Sequence, residues 1–554
     1  MMKKFLQKSI DIISMRQTNI LSAAFVIMST VILSQFLGLI RQRLLVAIFG
    51  ASNTLGVYLA SIKLPDFLFQ IIIAGVLSSA FIPVFSDFIV KNKEAEARKM
   101  ASTLLTIFVV VFSILSIILF IFASFFLQIL NPGSGFSASE MELMANLMRL
   151  VIVGQLFFLI ATFFSALLQS YNHFFIPGIA AASYNLGIIL GILFLSPILG
   201  IYGPVYGIIL GGIFFAAAQI PLVKKVGFSF TSSISFETPG IKEVVSLMWP
   251  RTFSIGIFQV GSLITIALIS YIPNSGRNYV IFDYAQTLAF APIALFGQTI
   301  AQAAFPVLSR ERERIEHFKL TFLTSFNQML YLVLPVSVLF LVLRIPVVRL
   351  VFGAGLFDWE ATVLTGKTLA YFALSVFANA LIYLISRGFY ALHDAKTPLV
   401  VGGITTLCMI GMSVLFILRY KMGIENIAFA YSVASILNLV VLLFLLDKKI
   451  GGFKKIDMFF SSLKIFFASL FTGFALYIPI KLLDQLVFDT THTINLIFLT
   501  GISSFAGLSL YLFLTWLFNV KEATTFLLLF KKIGNWREIL QERGETLDPN
   551  RPNP

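Results

Sequence analysis

The sequence predicts an all-α polytopic membrane protein of about fourteen transmembrane helices, and three observations predict it. Of 554 residues, 58% are hydrophobic and 12% charged, too few polar side chains to cover a soluble domain. Apolar runs recur at the length of a bilayer span, roughly 20 residues. The basic residues gather in short segments between alternate runs, as orientation signals do.

On the span criterion the helices fall near 20-42, 56-86, 101-130, 143-170, 175-196, 201-222, 245-271, 281-308, 320-344, 361-390, 399-418, 424-446, 461-481 and 495-519. Lys3, Lys4, Lys8 and Arg16 precede helix 1. Lys91, Lys93, Arg98 and Lys99 follow helix 2, and Lys224, Lys225 and Lys242 follow helix 6. Arg310, Arg312 and Arg314 follow helix 8, Lys396 follows helix 10, and Lys448, Lys449, Lys454 and Lys455 follow helix 12. The loop after helix 3 instead carries Glu140 and Glu142. The positive-inside rule then places both termini in the cytoplasm. Arg344, Arg349, Arg419 and Lys421, near outer ends, are the exceptions.

The net charge of +14 therefore faces an anionic leaflet and gives no reason to expect nucleic acid. Cys408 is the only cysteine, which excludes an intrachain disulfide and CxxC chemistry. Residues 1-18 read as a basic, amphipathic cytoplasmic segment without a cleavage site. The stretch 521-554 reads as a cytoplasmic tail.

The chain also repeats itself. FIPVFSDF around Pro83 resembles AFPVLSRE around Pro306 at an offset of 223, and Ser165 and Pro177 match Ser386 and Pro398 at an offset of 221. Phe136 and Phe357 share the 221 offset. A repeat of six helices enters the membrane twice in one orientation, so the two lobes should be related by a pseudo-two-fold along the membrane normal. The expected organisation is an N-lobe at 19-223 (helices 1-6), a cytoplasmic linker at 224-244 and a C-lobe at 245-447 (helices 7-12). Helices 13 and 14 follow at 448-520.

Several motifs place polar groups inside these runs. In IKLPDFLFQIIIAG, Lys63, Asp66, Gln70 and Ala74 recur at spacings of three and four and share one helix face. A self-neutralising pair snorkelling to water is one reading. A stripe lining a hydrated cavity is the other, and Pro65, which bends the helix, favours it. In SQFLGLIRQRLL, Ser34, Gly38 and Arg41 or Gln42 share a face; Arg41 is either an interfacial anchor or a cavity cation. Arg251, with Gln259 two turns on, either marks an interface or offers a bidentate phosphate contact. The string GIILG occurs at Gly187 to Gly191 and again at Gly207 to Gly211, which reads as close packing of helices 5 and 6. The four histidines are scattered and no GxxxxGK[ST] loop occurs, so neither a metal, a cofactor nor an enzyme is expected.

Together the motifs resemble the MurJ (MviN) lipid II flippases of the multidrug/oligosaccharidyl-lipid/polysaccharide exporter superfamily. The strings that carry this are LGLIRQ, VAIFGAS, KLPDFL, GVLSSAFIPVFS and YNHFFIPG, then FGQTIAQAAFPVLSR, FGAGLFD and RGFYALHDAKTP. The resemblance implies alternating access around a cationic cavity, carrying the polyprenyl-diphosphate-linked peptidoglycan precursor to the outer leaflet of the bacterial inner membrane. Helices 13 and 14 would hold the lipid tail, and contact with other cell-wall synthesis proteins stays open. Cavity contacts would fall to Ser34, Gln35, Arg41, Lys63, Asp66, Gln70, Arg251 and Gln259, with Gly38, Pro65, Pro83 and Pro306 as hinge and packing positions.

The chain also departs from the family's pattern. Gln35 and Gln42 stand for an arginine and an aspartate, Phe69 for an arginine, Ala74 for a glutamate, and Gln286 and Thr287 replace the end of a YADR string. Three readings follow: the remaining cations suffice, the cargo is another lipid-linked glycan, or the chain is a membrane scaffold that does not transport.

Overall fold

The computed structural model describes residues 20–74, 77–235, 237–453, 455–486 and 493–524. The segment 1-18 and nearly all of the 521-554 tail lie outside them. The described residues form helices and connecting turns, with no strand among them.

The helices are α1 (Ile20–Phe49), α2 (Asn53–Phe69, continued by Ile82–Val90), α3 (Glu94–Ile121), α4 (Ala138–Ser170), α5 (Phe175–Leu190), α6 (Tyr202–Lys225) and α7 (Ile241–Ile269). They continue as α8 (Ser275–Pro292, then Thr299–Arg310), α9 (Ile315–Val342), α10 (Trp359–Ala373 and Val376–Ala391), α11 (Lys396–Val414), α12 (Glu425–Lys449), α13 (Lys455–Leu486) and α14 (Thr493–Leu517). Twelve of these are long and apolar enough to cross a bilayer, and the two halves of α10, bent by 41°, add a thirteenth. The 29-residue α7 stands where the fourteenth span is expected, but among its described residues only Gln259–Ile269 is apolar enough to count, and that stretch is shorter than a span.

The contacts divide the chain into two compact units, one running to Ala267 and the other starting at Leu268. The division falls near the end of α7 and not in the 224-244 linker, so α7 packs with helices 1-6. One contact shows this directly: the Thr252 hydroxyl of α7 donates to the Ile71 carbonyl of α2 at 3.4 Å.

Each unit repeats the backbone solutions of the other at the offsets the sequence suggested. Left-handed residues recur in pairs: Gly50 and Asn274, Ser134 and Gly355, Asn172 and His393, Gly200 and Lys421, Gly227 and Gly451. Such conformations are costly for residues other than glycine and asparagine, so their recurrence at offsets of 221 or 224 marks one chain path used twice. The turns themselves match bond for bond. Tyr171, Asn172 and His173 donate to Leu168, Gln169 and Leu168; Leu392, His393 and Asp394 donate to Phe389, Tyr390 and Phe389. Helices α4 and α10 start alike too, with Ser137 capping Glu140 and Asp358 capping Ala361. Wide π-helical turns follow the same rule: Gln70–Ala74 pairs with Ile293–Gln298, and Gly191–Leu195 with Leu415–Arg419.

Aromatic packing fills the first unit. Phe81 and Phe163 meet at 5.0 Å, Phe85 and Tyr171 at 5.5 Å, and Phe108 and Phe163 at 6.4 Å. The expected glycine seam joins α5 to α6: a Cβ on Gly191 would stand 2.6 Å from both the Gly207 Cα and the Gly203 carbonyl oxygen. In the second unit the Tyr511 hydroxyl donates to the Tyr331 carbonyl at 2.7 Å and ties α14 to α9.

Ion pairs close helix ends of the second unit. Arg277 reaches Asp358 at 2.8 and 2.9 Å and Glu360 at 3.1 Å, and its guanidinium holds the Asp358 carboxyl below the usual range. Asp394 accepts from Lys449 at 2.5 Å and from the Thr397 N–H and hydroxyl at 2.9 and 2.8 Å. Burial pushes the Asp394 carboxyl up, but these three donors outweigh it and hold it at about 2. Arg312 contacts His393 in the same turn.

Candidate functional site

The first unit gathers the polar residues of α1, α2 and α5. Ser34, Gly38 and Arg41 share a face of α1, and that face turns to α5: the Asn185 amide donates to the Ser34 carbonyl at 3.1 Å and to its hydroxyl at 3.3 Å. Gly38 leaves room there, since a Cβ on it would stand 3.8 Å from Asn185 Oδ1. A hydrogen bond between spans is the usual way to keep a buried amide satisfied where water is absent.

On α2, Lys63, Asp66 and Gln70 are half-buried and lie on one face, as their spacing requires. The Asp66 carboxylate interacts with the Lys63 ammonium and lies within hydrogen-bonding reach of the Gln70 amide. Pro65 sits inside the helix. The backbone widens into π-helical turns just beyond it, at Gln70–Ala74 and Leu77–Phe81. Wide turns release carbonyls from the regular ladder, and the Thr252 hydroxyl supplies a donor to one of them. Pro83 opens the segment after the second wide turn. Pro306 stands in the segment that follows the wide turn of α8.

Arg41 belongs to the same group. Half-buried near the C-terminal end of α1, it lies on the face that turns to α5, within electrostatic range of the buried tyrosines Tyr58 of α2 and Tyr184 of α5. Arg41 and Asn185 along α1 and α5, and Lys63, Asp66 and Gln70 on α2, thus belong to one unit. Gln35 is exposed on α1, and Gln259 is half-buried on α7. Arg251 lies within α7, but its side chain is outside the described residues, as is that of Ala74.

Sequence reasoning did not single out Tyr58, Tyr184, Asn185 or Thr252. Asn185 had a signal, a lone amide in the apolar run AASYNLGIIL. The tyrosines had none, because their position depends on how α4, α5 and α6 pack. Phe69, where the family pattern has an arginine, is 5% exposed. Its ring meets Phe158 edge-on at 5.0 Å, and Phe158 in turn meets Tyr184 at 4.7 Å and Phe215 at 5.4 Å. Packed rings occupy the place of that charge. Among the described residues no group of histidine, cysteine or carboxylate side chains could hold a metal.

This bundle of spans, with cations and amides placed inside a unit whose chain path is repeated, defines a polytopic membrane protein built from two parallel repeats. The similarities to known proteins narrow it further. The family model described as lipid II flippase MurJ matches residues 45–498, and the chain belongs to that family. The match takes in Lys63, Asp66 and Gln70 and begins just after Arg41. The lipid II flippase MurJ of Burkholderia cenocepacia is 24% identical over 390 residues, 69% of this chain and 75% of that one. Its counterpart in Thermosipho africanus is 25% identical over 473 residues, covering 84% and 95%. A solved lipid II flippase MurJ in an inward closed conformation aligns with a TM-score of 0.74 at 24% identity, covering 89% of this chain and 98% of that one. An inward-facing multidrug resistance MATE family transporter aligns at 0.64 with 13% identity, covering 77% and 98%.

Proposed function

We propose that the protein is a flippase that carries lipid II, the polyprenyl-diphosphate-linked peptidoglycan precursor, from the inner to the outer leaflet by alternating access. The observation that carries this reading is the family match through 45–498, joined to a cluster in which Arg41 and Lys63 outnumber Asp66. A diphosphate cannot cross hydrocarbon unaided, so it needs fixed positive charge along a hydrated path, while its polyprenyl tail stays in lipid. Arg41 supplies a planar fork suited to phosphate oxygens and Lys63 a point charge. Asp66 and Gln70 hold Lys63 and keep the site's net charge low enough for release. Arg251 and Gln259 complete the cargo contacts from α7.

Transport, not catalysis, is the activity, driven by the membrane potential or an ion gradient. The protein sits in the bacterial cytoplasmic membrane with both termini cytoplasmic, which the basic loops support. A strip of Phe460, Leu463, Phe467, Phe471 and Phe518 with Lys464 among them, on α13 and just past α14, suits a lipid tail whose phosphate end lies near the lysine.

A second reading rests on Phe69. With an arginine position given over to ring packing, the cargo is another polyprenyl-linked glycan with weaker demands on charge. Transbilayer movement of labelled lipid II in proteoliposomes separates the two, with wild type beside Arg41→Ala and Lys63→Ala. Movement that both substitutions cut at least ten-fold, an order-of-magnitude expectation for losing a charged contact, supports lipid II as cargo. Movement untouched by either would refute the site, and no movement by folded wild type would refute lipid II.

A further inference from the structure

The outer-end cations that break the positive-inside pattern, Arg344, Arg349, Arg419 and Lys421, all belong to the second unit. One of them, Arg349, stands at a trough on α10. The trough is lined by Trp359, Glu360, Val363, Leu364 and Lys367 and encloses about 410 Å3, the size of a small-ligand site. Trp359 is 60% exposed. Arg349, from the short helix Arg344–Phe352, lies over its ring at 5.8 Å, which steadies the indole and leaves its other face to solvent. Arg277 holds Glu360 at the same end at 3.1 Å, and Lys367 closes the far end, paired with Glu425 at 2.6 Å.

The internal repeat shows that the fold does not require this chemistry. At the offset of 221 the first unit has Ala138, Ser139, Glu142, Leu143 and Asn146 for the five lining residues, Gln128 for Arg349 and Pro204 for Glu425. The chain path is kept, since α4 and α10 start with the same kind of cap. The exposed indole and the ion pair belong to the second unit alone.

Depth decides what the trough can hold. Glu425 is the first residue of α12 and follows Tyr420, which is 64% exposed, so its ion pair lies at the level of interfacial residues. Trp359 comes eight residues before Lys367, which sets it about 12 Å nearer the start of α10. With both termini cytoplasmic, that end is outside, and Trp359 stands in water beyond the interface. A phospholipid would have to lie the other way, with its phosphate outermost and its tails inward on Lys367. A saccharide fits the order as it stands. The C–H face of a pyranose packs on the electron-rich face of an indole, and Lys367 and Glu360 can donate to and accept from its hydroxyls. We propose that the trough is a saccharide site on the outer face of the second unit, which takes the sugars of the cargo once its head group has crossed. The source of the sugar rests on the flippase reading, whereas the site rests on the trough.

The test uses the full chain purified in detergent and, as probe, the peptidoglycan disaccharide free of peptide, diphosphate and lipid. Binding is read by titration and by saturation-transfer NMR. Wild type should bind the probe, with saturation strongest on the C–H protons of one ring face. Trp359→Ala and Val363→Glu install the first unit's residues at exposed positions. Each should weaken binding about ten-fold, the loss of one aromatic contact or of the trough's floor. Trp359→Phe, which keeps an aromatic face, should lose much less, and all three should melt as wild type does.

No binding by folded wild type would overturn the proposal. So would binding that neither Trp359→Ala nor Val363→Glu weakens, or a weakening that follows a fall in thermal stability. Phospholipid that copurifies with wild type and is released by Trp359→Ala would overturn it too, because the trough would then seat a lipid. The proposal and the flippase reading fail separately. Saccharide binding without movement of lipid II in proteoliposomes leaves the site standing and overturns the flippase reading, and movement without saccharide binding does the reverse.

Discussion

The glycine seam between α5 and α6 makes a prediction that can be worked from distances. An alanine at Gly191 would place its Cβ 2.6 Å from the Gly207 Cα and 2.6 Å from the Gly203 carbonyl oxygen. Carbon atoms rest at about 3.5 to 4.0 Å. Both obstacles are backbone, so no rotamer change relieves them, and the helices would have to part by about 1 Å. Overpacking of this kind costs about 1 to 3 kcal/mol, against a gain of up to about 1 kcal/mol from replacing a helical glycine. Gly191→Ala should therefore lose about 1 to 2 kcal/mol in reversible denaturation of the purified protein in detergent. Gly411→Ala is the matched control, because a Cβ there meets nothing within 4 Å, and it should be neutral or slightly stabilising. Equal stability of the two variants would refute the seam.

Three further outcomes follow from the ion pairs and the aromatic row. The Asp394 carboxyl lies at about 2 against an ordinary 3.8, so its contribution to stability is complete above about pH 4 and disappears as the pH falls through about 2. Asp394→Asn should flatten that part of a stability profile against pH and leave the neutral region simply lower. Arg277→Ala, which removes contacts to Asp358 and Glu360, should cost only about 0.5 to 1 kcal/mol because the acids are well exposed, and added salt should shrink the difference. Phe69→Arg restores the family's residue type but sets a charge among Phe158 and its neighbours. A loss of folded yield is expected, equivalent to about 3 kcal/mol or more, and wild-type stability would show that the site is wetter than its packing implies.

The helices and their repeat were legible in the sequence because each rests on local chemistry. A span announces itself by an apolar run, since every backbone group in lipid must be satisfied within the helix. The repeat announced itself at Pro83 and Pro306 because turn and kink residues are fixed by backbone geometry. Asn172 and His393, whose left-handed turns match, show the same constraint, but only in the fold. The shared face of Lys63, Asp66 and Gln70 followed from helical period, and the GIILG strings from the size of glycine.

The rest needed tertiary structure. No spacing rule says that α7 packs with the first unit, because membership depends on which helices it touches and not on where its charges fall. Nor could the sequence show that Asn185 meets Ser34. The two are 151 positions apart in the chain, and only the folding of α1 against α5 brings them close. Phe69 read as a missing charge; in the fold it is a packed ring 5.0 Å from Phe158. The sequence determined what each helix can offer, and packing decided which offers meet, since contacts between distant residues are set by the shapes of the helices that carry them.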